Sequence, residues 1–393
     1  MTDDIQKARA SVQEKTNRAN GLDEPHCRVM VVDDSSVVRG IVTRVLESTP
    51  GIRVVASIAN GVAAIKALPT TPVDVIILDI EMPLMDGMTA LPQLLAINPN
   101  VKIIMASALT RRNADISLRA LSLGAADYVP KPSSGLGAAD EFRDELVSKV
   151  LAHAARMPRS TRAVLPATTP APAPKPAAAP CQPASSSLNR PVILRKAQIE
   201  KPAVIAIGSS TGGPQALAEV LKNLGPGVSQ PIVITQHMPP TFTAILAEHM
   251  TRYAGRTAAE AQDGEVIQPG RIYIAPGGRH LLIEASGNQA VARLSDAPPE
   301  NSCRPAVDPM LRSLAAVYKR RLLTVILTGM GNDGLKGCET VVEAGGTVLA
   351  QDQASSVVWG MPGAVAQAGL CNAVLPLADI GRAIGRVARG ESL

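Results

Sequence analysis

From Arg28 onward, short apolar runs alternate with stretches whose apolar residues recur every three to four positions. The apolar runs predict strands at Val29 to Val32, Arg53 to Ala56, Val73 to Leu78, Val101 to Met105 and Tyr128 to Val129. Helices are predicted near Val37 to Leu46, Val62 to Leu68, Met88 to Ala96, Ala114 to Leu123 and Asp140 to Ala155. This fivefold strand-helix alternation is the pattern of a parallel, doubly wound α/β sheet. A second α/β pattern begins at Ala203, with strands predicted at Val204 to Ile207, Ile232 to Thr235, Arg271 to Ala275, Leu322 to Leu327 and Thr347 to Ala350. Some antiparallel strands are expected around His280 to Leu294.

Between the two patterns the chain changes character. Residues 151–200 include a run dominated by alanine and proline, Leu165 to Pro180, which can neither propagate a helix nor pair in a sheet, and they are expected to be a semi-extended linker. Residues 1–26 are polar and without apolar periodicity, so a disordered lead-in is expected there. The expected organisation is therefore lead-in 1–26, first domain 27–150, linker 151–200 and second domain 201–390, as suits a chain of 393 residues.

Charge and composition narrow the function classes. The net charge is +5, but residues 156–201 hold eight Lys or Arg against one acid, so the rest of the chain is slightly acidic. With one Trp, four Tyr and two Phe there are few stacking platforms, and no nucleic-acid partner is expected. The longest apolar runs are of strand length, well short of the ~20 residues that span a bilayer, so no membrane insertion is expected. The first residues show no secretory pattern, which makes the cytoplasm the expected compartment. Five scattered cysteines, Cys27, Cys181, Cys303, Cys338 and Cys371, lack metal-ligand spacing and read as structural or incidental thiols.

Candidate chemistry collects at predicted strand ends, where ligands gather in doubly wound sheets. Asp79 ends one strand and Asp33 and Asp34 end its neighbour, so three carboxylates converge and call for a hard cation such as Mg²⁺. Ser107 and Lys131 follow two further strands. A carboxylate nucleophile, a cation, a hydroxyl and an ammonium together suit phosphoryl transfer to Asp79. With Val32-Asp33-Asp34-Ser35, Leu78-Asp79 through Asp86-Gly87, Ser107-Ala108 and Lys131-Pro132, the first domain resembles the receiver domain of two-component response regulators. The resemblance implies a flavodoxin-like fold, Asp79 as acceptor of phosphate from a histidine kinase, and Mg²⁺ held by Asp34, Asp79 and the Glu81 carbonyl, with Asp33 helping to place it. It also implies that Ser107 and Tyr128 shift on phosphorylation and that Lys131 precedes a cis Pro132.

In the second domain Gly208-Ser-Ser-Thr-Gly-Gly213 follows a strand and opens a helix, so backbone N–H groups at that helix start suit either a phosphate or an oxyanion. Gly329-Met-Gly-Asn-Asp-Gly334 is a formal dinucleotide fingerprint with Asp352 further on, but Asp333 would place a negative charge against the pyrophosphate. The alternative joins Ser210, His237 and Asp333, each following a predicted strand, into a nucleophile, a base and an orienting acid.

The blocks Ile207 to Pro214, Gln236 to Pro239, Tyr273 to Gly277, Arg304 to Asp308, Leu327 to Gly334 and Gln351 through Pro362 resemble the catalytic domain of chemotaxis protein-glutamate methylesterases. That implies Ser210 as nucleophile, His237 as general base and acid, Asp333 as its partner, and the Met330 N–H with Thr211, Gly212 and Gly213 around the oxyanion. Ser209 stands where the family usually has alanine. The implied reaction is hydrolysis of glutamate γ-methyl esters on methyl-accepting chemotaxis receptors, with deamidation of receptor glutamines, by a monomer needing no cofactor for the ester chemistry. The rival class is a phosphorylation-switched binding module with a vestigial Ser/His/Asp set.

Overall fold

The computed structural model describes residues 27–131, 138–154, 192–196, 200–225 and 227–392, with side chains described from Phe142 onward in the helix that begins at Ala138. The expected lead-in, most of the linker and the Pro132 turn lie outside the described residues.

The first sheet joins β1 (Cys27–Val32), β2 (Ile52–Ile58), β3 (Val75–Asp79), β4 (Lys102–Ser107) and β5 (Asp127–Pro130) in the order 2-1-3-4-5. All its pairings are parallel. Helices α1 (Ser36–Glu47), α2 (Gly61–Ala67), α3 (Gly87–Ile97), α4 (Arg111–Ser122) and α5 (Ala138–Ala154) cover both faces, so β3 is buried at every position. Polar residues start the helices where the sequence needs them. Ser35, Asn60, Asp86 and Thr110 each accept a backbone N–H of the first turn and satisfy a donor the helix itself leaves unpaired.

The second sheet is parallel throughout, in the order β14-β13-β12-β6-β7-β9-β8. Its strands are β6 (Val204–Ser209), β7 (Ile232–Gln236), β8 (Ala258–Glu260), β9 (Ile272–Ile274), β12 (Leu322–Ile326), β13 (Thr347–Gln351) and β14 (Ala373–Leu375). The antiparallel pair foreseen around His280 is a separate hairpin, β10 (His280–Ser286) with β11 (Gln289–Ser295), outside that sheet. Its helices are α6 (Gly213–Lys222), α7 (Phe242–Ala254), α8 (Val307–Tyr318), α9 (Leu335–Glu343), α10 (Met361–Gln367) and α11 (Leu377–Ala388). Strand β6 is flanked by β12 on one side and β7 on the other, so the loops after these three strands open side by side at their carboxyl ends. Such a reversal of strand order leaves a crevice where α/β sheets bind ligands.

Candidate functional site

Three loops build the crevice. β6 ends at Ser209 and the loop after it carries Ser210 to Gly212, the loop after β7 carries His237, and the loop after β12 carries Met330 and Asp333. Gly212 has φ 75° and turns the chain into α6 in a conformation that disfavours a side chain. A Cβ on Gly213 would overlap Gln236 Oε1, so this glycine lets the first two loops close on each other. Ser209 is fully buried and donates to Gln236 Oε1 at 2.7 Å, while Gln236 Nε2 donates to the Ser210 carbonyl at 2.9 Å. Ser209 thus braces the loop, and Ser210 lines the cavity.

His237 Nε2 donates to Asp333 Oδ2 at 2.7 Å. Asp333 is buried and also accepts from the backbone N–H groups of Val307, Asp308 and Gly334 and from Asn301 Nδ2, at 2.6 to 3.1 Å. Burial alone would raise its pKa; the His237 contact and these donors hold it below the usual carboxylate value. An ionised Asp333 only accepts, so it fixes the proton on Nε2 and leaves Nδ1 as the basic nitrogen. Burial works against a charged His237, yet its bonds to Asp333 and Cys303 carry it up to about 10.

The structure brings His237 and Asp333 together, and Ser210 lines the same cavity of about 600 Å³ without a hydrogen bond to the imidazole among the described residues. Nδ1 instead faces Cys303 Sγ at 3.4 Å. Thr211 and Met330 line this cavity too, and Met330 N–H finds no acceptor among the described residues.

At the first sheet, Asp33, Asp34 and Asp79 offer oxygen atoms within 4.8 Å of one another. Lys131 Nζ spans Asp33 Oδ2 and Asp79 Oδ1, each at 2.7 Å. One ammonium leaves this set short of positive charge, and burial, with Asp33 adding to it, holds the Asp79 carboxyl above its ordinary value despite Lys131. All-oxygen donors with excess negative charge fit Mg²⁺. Glu81 is exposed and lines a cavity of about 440 Å³ with Asp34 beside this cluster. Ser107 is buried, its hydroxyl 3.0 Å from that of Ser117, and Tyr128 is buried against the second domain.

With this geometry established, the chain was compared with known proteins. The profile of the CheB methylesterase family matches residues 205–384 and that of the response regulator receiver domain matches residues 29–136. A protein-glutamate methylesterase/protein-glutamine glutaminase of Azospirillum brasilense is 58% identical over 367 residues, covering 92% of each chain. This chain belongs to that methylesterase family. A relative of the same name from Paramagnetospirillum magneticum is 57% identical, covering 90% of this chain and 94% of its own. The CheB methylesterase catalytic domain of Thermotoga maritima is similar at 43% identity, with a TM-score of 0.46, covering 47% of this chain and 97% of that structure.

In this methylesterase the receiver packs beside the crevice that holds His237. Tyr128 of β5 stacks on Phe242 of α7, Asp115 pairs with His249 at 3.1 Å, and Arg111 pairs with Glu248 at 2.8 Å. Gln215 Nε2 donates to the carbonyls of Ala125 and Ala126. The cavity that holds His237 is consequently lined by Lys131, Phe142, Asp144 and Glu145 of the receiver as well as by the three crevice loops. Among the described residues, no helix is long and apolar enough to cross a membrane.

Of the cysteines read as structural or incidental, Cys303 meets a candidate site residue, its sulfur 3.4 Å from His237 Nδ1, and Cys27, Cys338 and Cys371 are buried. Asn301 and Asp308 also escaped sequence reasoning. Cys303 directly precedes the Arg304 to Asp308 block, and that adjacency was the available signal.

Proposed function

We propose that the protein is a phosphorylation-activated serine hydrolase that removes methyl groups from glutamate γ-esters of methyl-accepting chemotaxis receptors and deamidates receptor glutamines. The observation that carries this reading is the His237–Asp333 pair at 2.7 Å in a cavity that Ser210 also lines. Ser210 Oγ attacks the ester carbonyl and its proton passes to His237 Nδ1. The oxyanion takes its hydrogen bonds from the Met330 N–H and from the loop of Thr211, Gly212 and Gly213. Methanol leaves with the proton from His237, and a water activated by the same nitrogen releases the glutamate carboxylate from Ser210. With a glutamine substrate the leaving group is ammonia. These roles require no cofactor.

Residues 27–150 form the proposed switch and 201–390 the catalytic unit, joined by 151–200, of which residues 151–154 complete helix α5 of the receiver rather than the linker. Asp79 is the phosphate acceptor, supplied by a chemotaxis histidine kinase. Asp34, Asp79 and the Glu81 carbonyl would hold Mg²⁺, with Asp33 helping to place it. When bound, Mg²⁺ supplies positive charge to the carboxylates and the incoming phosphoryl oxygens. Lys131 contacts the phosphate, and Ser107 and Tyr128 relay the change to the domain interface. The unphosphorylated receiver restricts the cavity through its contacts with α6 and α7, and phosphorylation weakens that docking. The enzyme works as a monomer in the cytoplasm; the free thiols of the four described cysteines suit a reducing compartment.

Methanol release from methylated receptor membranes tests the reading. Release that rises with a small phosphodonor and Mg²⁺ and disappears in Ser210→Ala is expected. Release that persists in Ser210→Ala would remove Ser210 as the nucleophile, and no release from any sample would favour the binding-module alternative.

A further inference from the structure

The turn Glu300–Cys303 is built at a cost. Asn301 and Ser302 are consecutive non-glycine residues at positive φ, 53° and 60°. Left-handed backbone at such residues is unfavourable and persists only where surrounding contacts enforce it. Those contacts are present. Glu300 and Cys303 exchange two backbone hydrogen bonds, at 3.1 and 2.9 Å, and the Glu300 carboxylate is gripped by both terminal nitrogens of Arg312 at 2.7 Å. Asn301 reaches inward from the turn and donates to Asp308 at 2.9 Å and to Asp333 at 2.8 Å. The turn is therefore bolted to the acid that orients the histidine, and its next side chain but one, Cys303, meets the other face of that histidine.

The two ring nitrogens are then fully assigned. Nε2 is committed to Asp333, and Nδ1, the nitrogen that must receive the Ser210 proton, faces Cys303 Sγ. Nδ1 has a single in-plane hydrogen-bonding position, a proton on the charged ring or a lone pair on the neutral one. Ser210 and Cys303 both line the cavity, and a sulfur that accepts from Nδ1–H of the charged ring favours that form and keeps the position from the nucleophile.

We infer that Cys303 is a positioning residue that restrains His237, holding Nδ1 on its sulfur until the ring transfers that nitrogen to Ser210 Oγ for turnover. The inference rests on the proposed roles of Ser210 and His237. It assigns the thiol no covalent step. Its work is to hold the ring in one orientation between turnovers and to compete with the nucleophile for the base. The other charged groups around the cavity are Arg304 on the adjoining turn and, from the receiver, Lys131, Asp144, Glu145 and Lys149 with its partner Asp127. They remain in place when only the thiol is changed, so a change confined to the thiol reports on the Nδ1 contact.

The test uses the full chain, phosphodonor and Mg²⁺, and follows kcat/KM for methanol release against pH in wild type, Cys303→Ala, Cys303→Ser and Ser210→Ala. Cys303→Ala is expected to release the base: kcat/KM at neutral pH rises about fivefold, the ratio a single net hydrogen bond commands, and the alkaline rise of the profile moves to lower pH with KM unchanged. Cys303→Ser keeps an acceptor beside Nδ1 and is expected to lie between the two. A Cys303→Ala profile superimposable on wild type, or one lowered without change of shape, would overturn the inference. Should Cys303→Ala fail to fold, alkylation of Cys303 by iodoacetamide decides the matter. Faster reaction at neutral pH in wild type than in His237→Gln is expected, and equal rates would overturn it. Activity surviving in Ser210→Ala would count against the esterase assignment alone, since the alkylation contrast reads the Cys303–His237 contact without turnover.

Discussion

Tyr128 lies flat on Phe242, with ring centroids 4.8 Å apart and planes inclined by 13°. One ring belongs to β5 of the receiver, beside the Lys131 that grips Asp79, and the other opens the helix that follows the His237 loop. Lys149 fixes Tyr128 from behind, its ammonium 2.5 Å from the Tyr128 carbonyl and 4.6 Å from the ring centroid. A change at Asp79 thus has a short, packed route to the catalytic loop.

Loss of this stack should loosen docking. Offset aromatic pairs contribute about 0.5–1.5 kcal/mol beyond their buried area, so Tyr128→Ala is expected to raise unphosphorylated methanol release roughly two- to tenfold. The fold-stimulation by phosphodonor should shrink in proportion. An unchanged basal rate in a variant with native circular dichroism would place the restraint elsewhere.

The Arg111–Glu248 ion pair crosses the same interface but should matter little. Its side chains are 74% and 54% exposed, and exposed pairs typically contribute under about 1 kcal/mol and weaken with salt. Glu248→Gln is expected to change basal activity by less than about fivefold, and by less still in high salt. A larger effect that persists in high salt would show that this pair, rather than the apolar contacts, holds the domains.

The contrast between these contacts also shows what the sequence could reveal. Buried parallel strands announce themselves as continuous apolar runs, so β1, β3, β6, β7 and β12 and the residues at their ends were legible: Asp33, Asp34, Asp79, Ser210, His237 and Asp333. Tyr128 and Phe242 meet across a separation that no local periodicity encodes. The same holds for Asn301 and Cys303, which sit in an irregular turn whose strained backbone has no glycine to mark it. The short strands β8 and β14 bury only the first of their three residues and so form no apolar run, unlike the equally short β9, which is buried throughout.

Asn301 is the shared donor of two buried carboxylates, and its loss should be costly. Asp308 already sits above its ordinary value because burial and the neighbouring Asp333 disfavour its charge. Asn301→Ala leaves both acids with one donor fewer, a loss of about 1–3 kcal/mol, and is expected to lower Tm by several degrees, with kcat reduced through the looser Asp333. Asn301→Asp brings a third negative charge to the pair and should be worse on both counts. Differential scanning calorimetry with parallel kcat measurements checks this; equal Tm in all three proteins would refute it.

Chelation should separate the switch from the chemistry. Asp33, Asp34 and Asp79 carry more negative charge than Lys131 alone balances, so phosphorylation of Asp79 should require Mg²⁺. EDTA is expected to abolish stimulation by phosphodonor while leaving the unstimulated rate intact, and Asp79→Asn should behave the same way with Mg²⁺ present. Loss of the unstimulated rate in EDTA would mean that a metal serves the esterase site as well.

The His237–Asp333 pair sets a pH window for stability. His237 rises from 6.5 in the unfolded chain to about 10 in the folded one, so its contribution is complete below 6.5 and disappears as pH climbs through about 10. Asp333 is displaced the other way, below 3.8, so its contribution is complete above 3.8 and is lost as pH falls through its depressed folded value. The pair therefore stabilises most between 3.8 and 6.5. Wild-type Tm should fall more steeply than that of His237→Gln as pH rises from 6.5 to about 10. Under the proposed mechanism catalysis has the opposite slope, because Nδ1 accepts the Ser210 proton only when the imidazole is neutral. In phosphorylated enzyme kcat/KM should climb over the same interval in which stability declines. Parallel curves, both falling or both rising across that range, would mean that His237 is not the base.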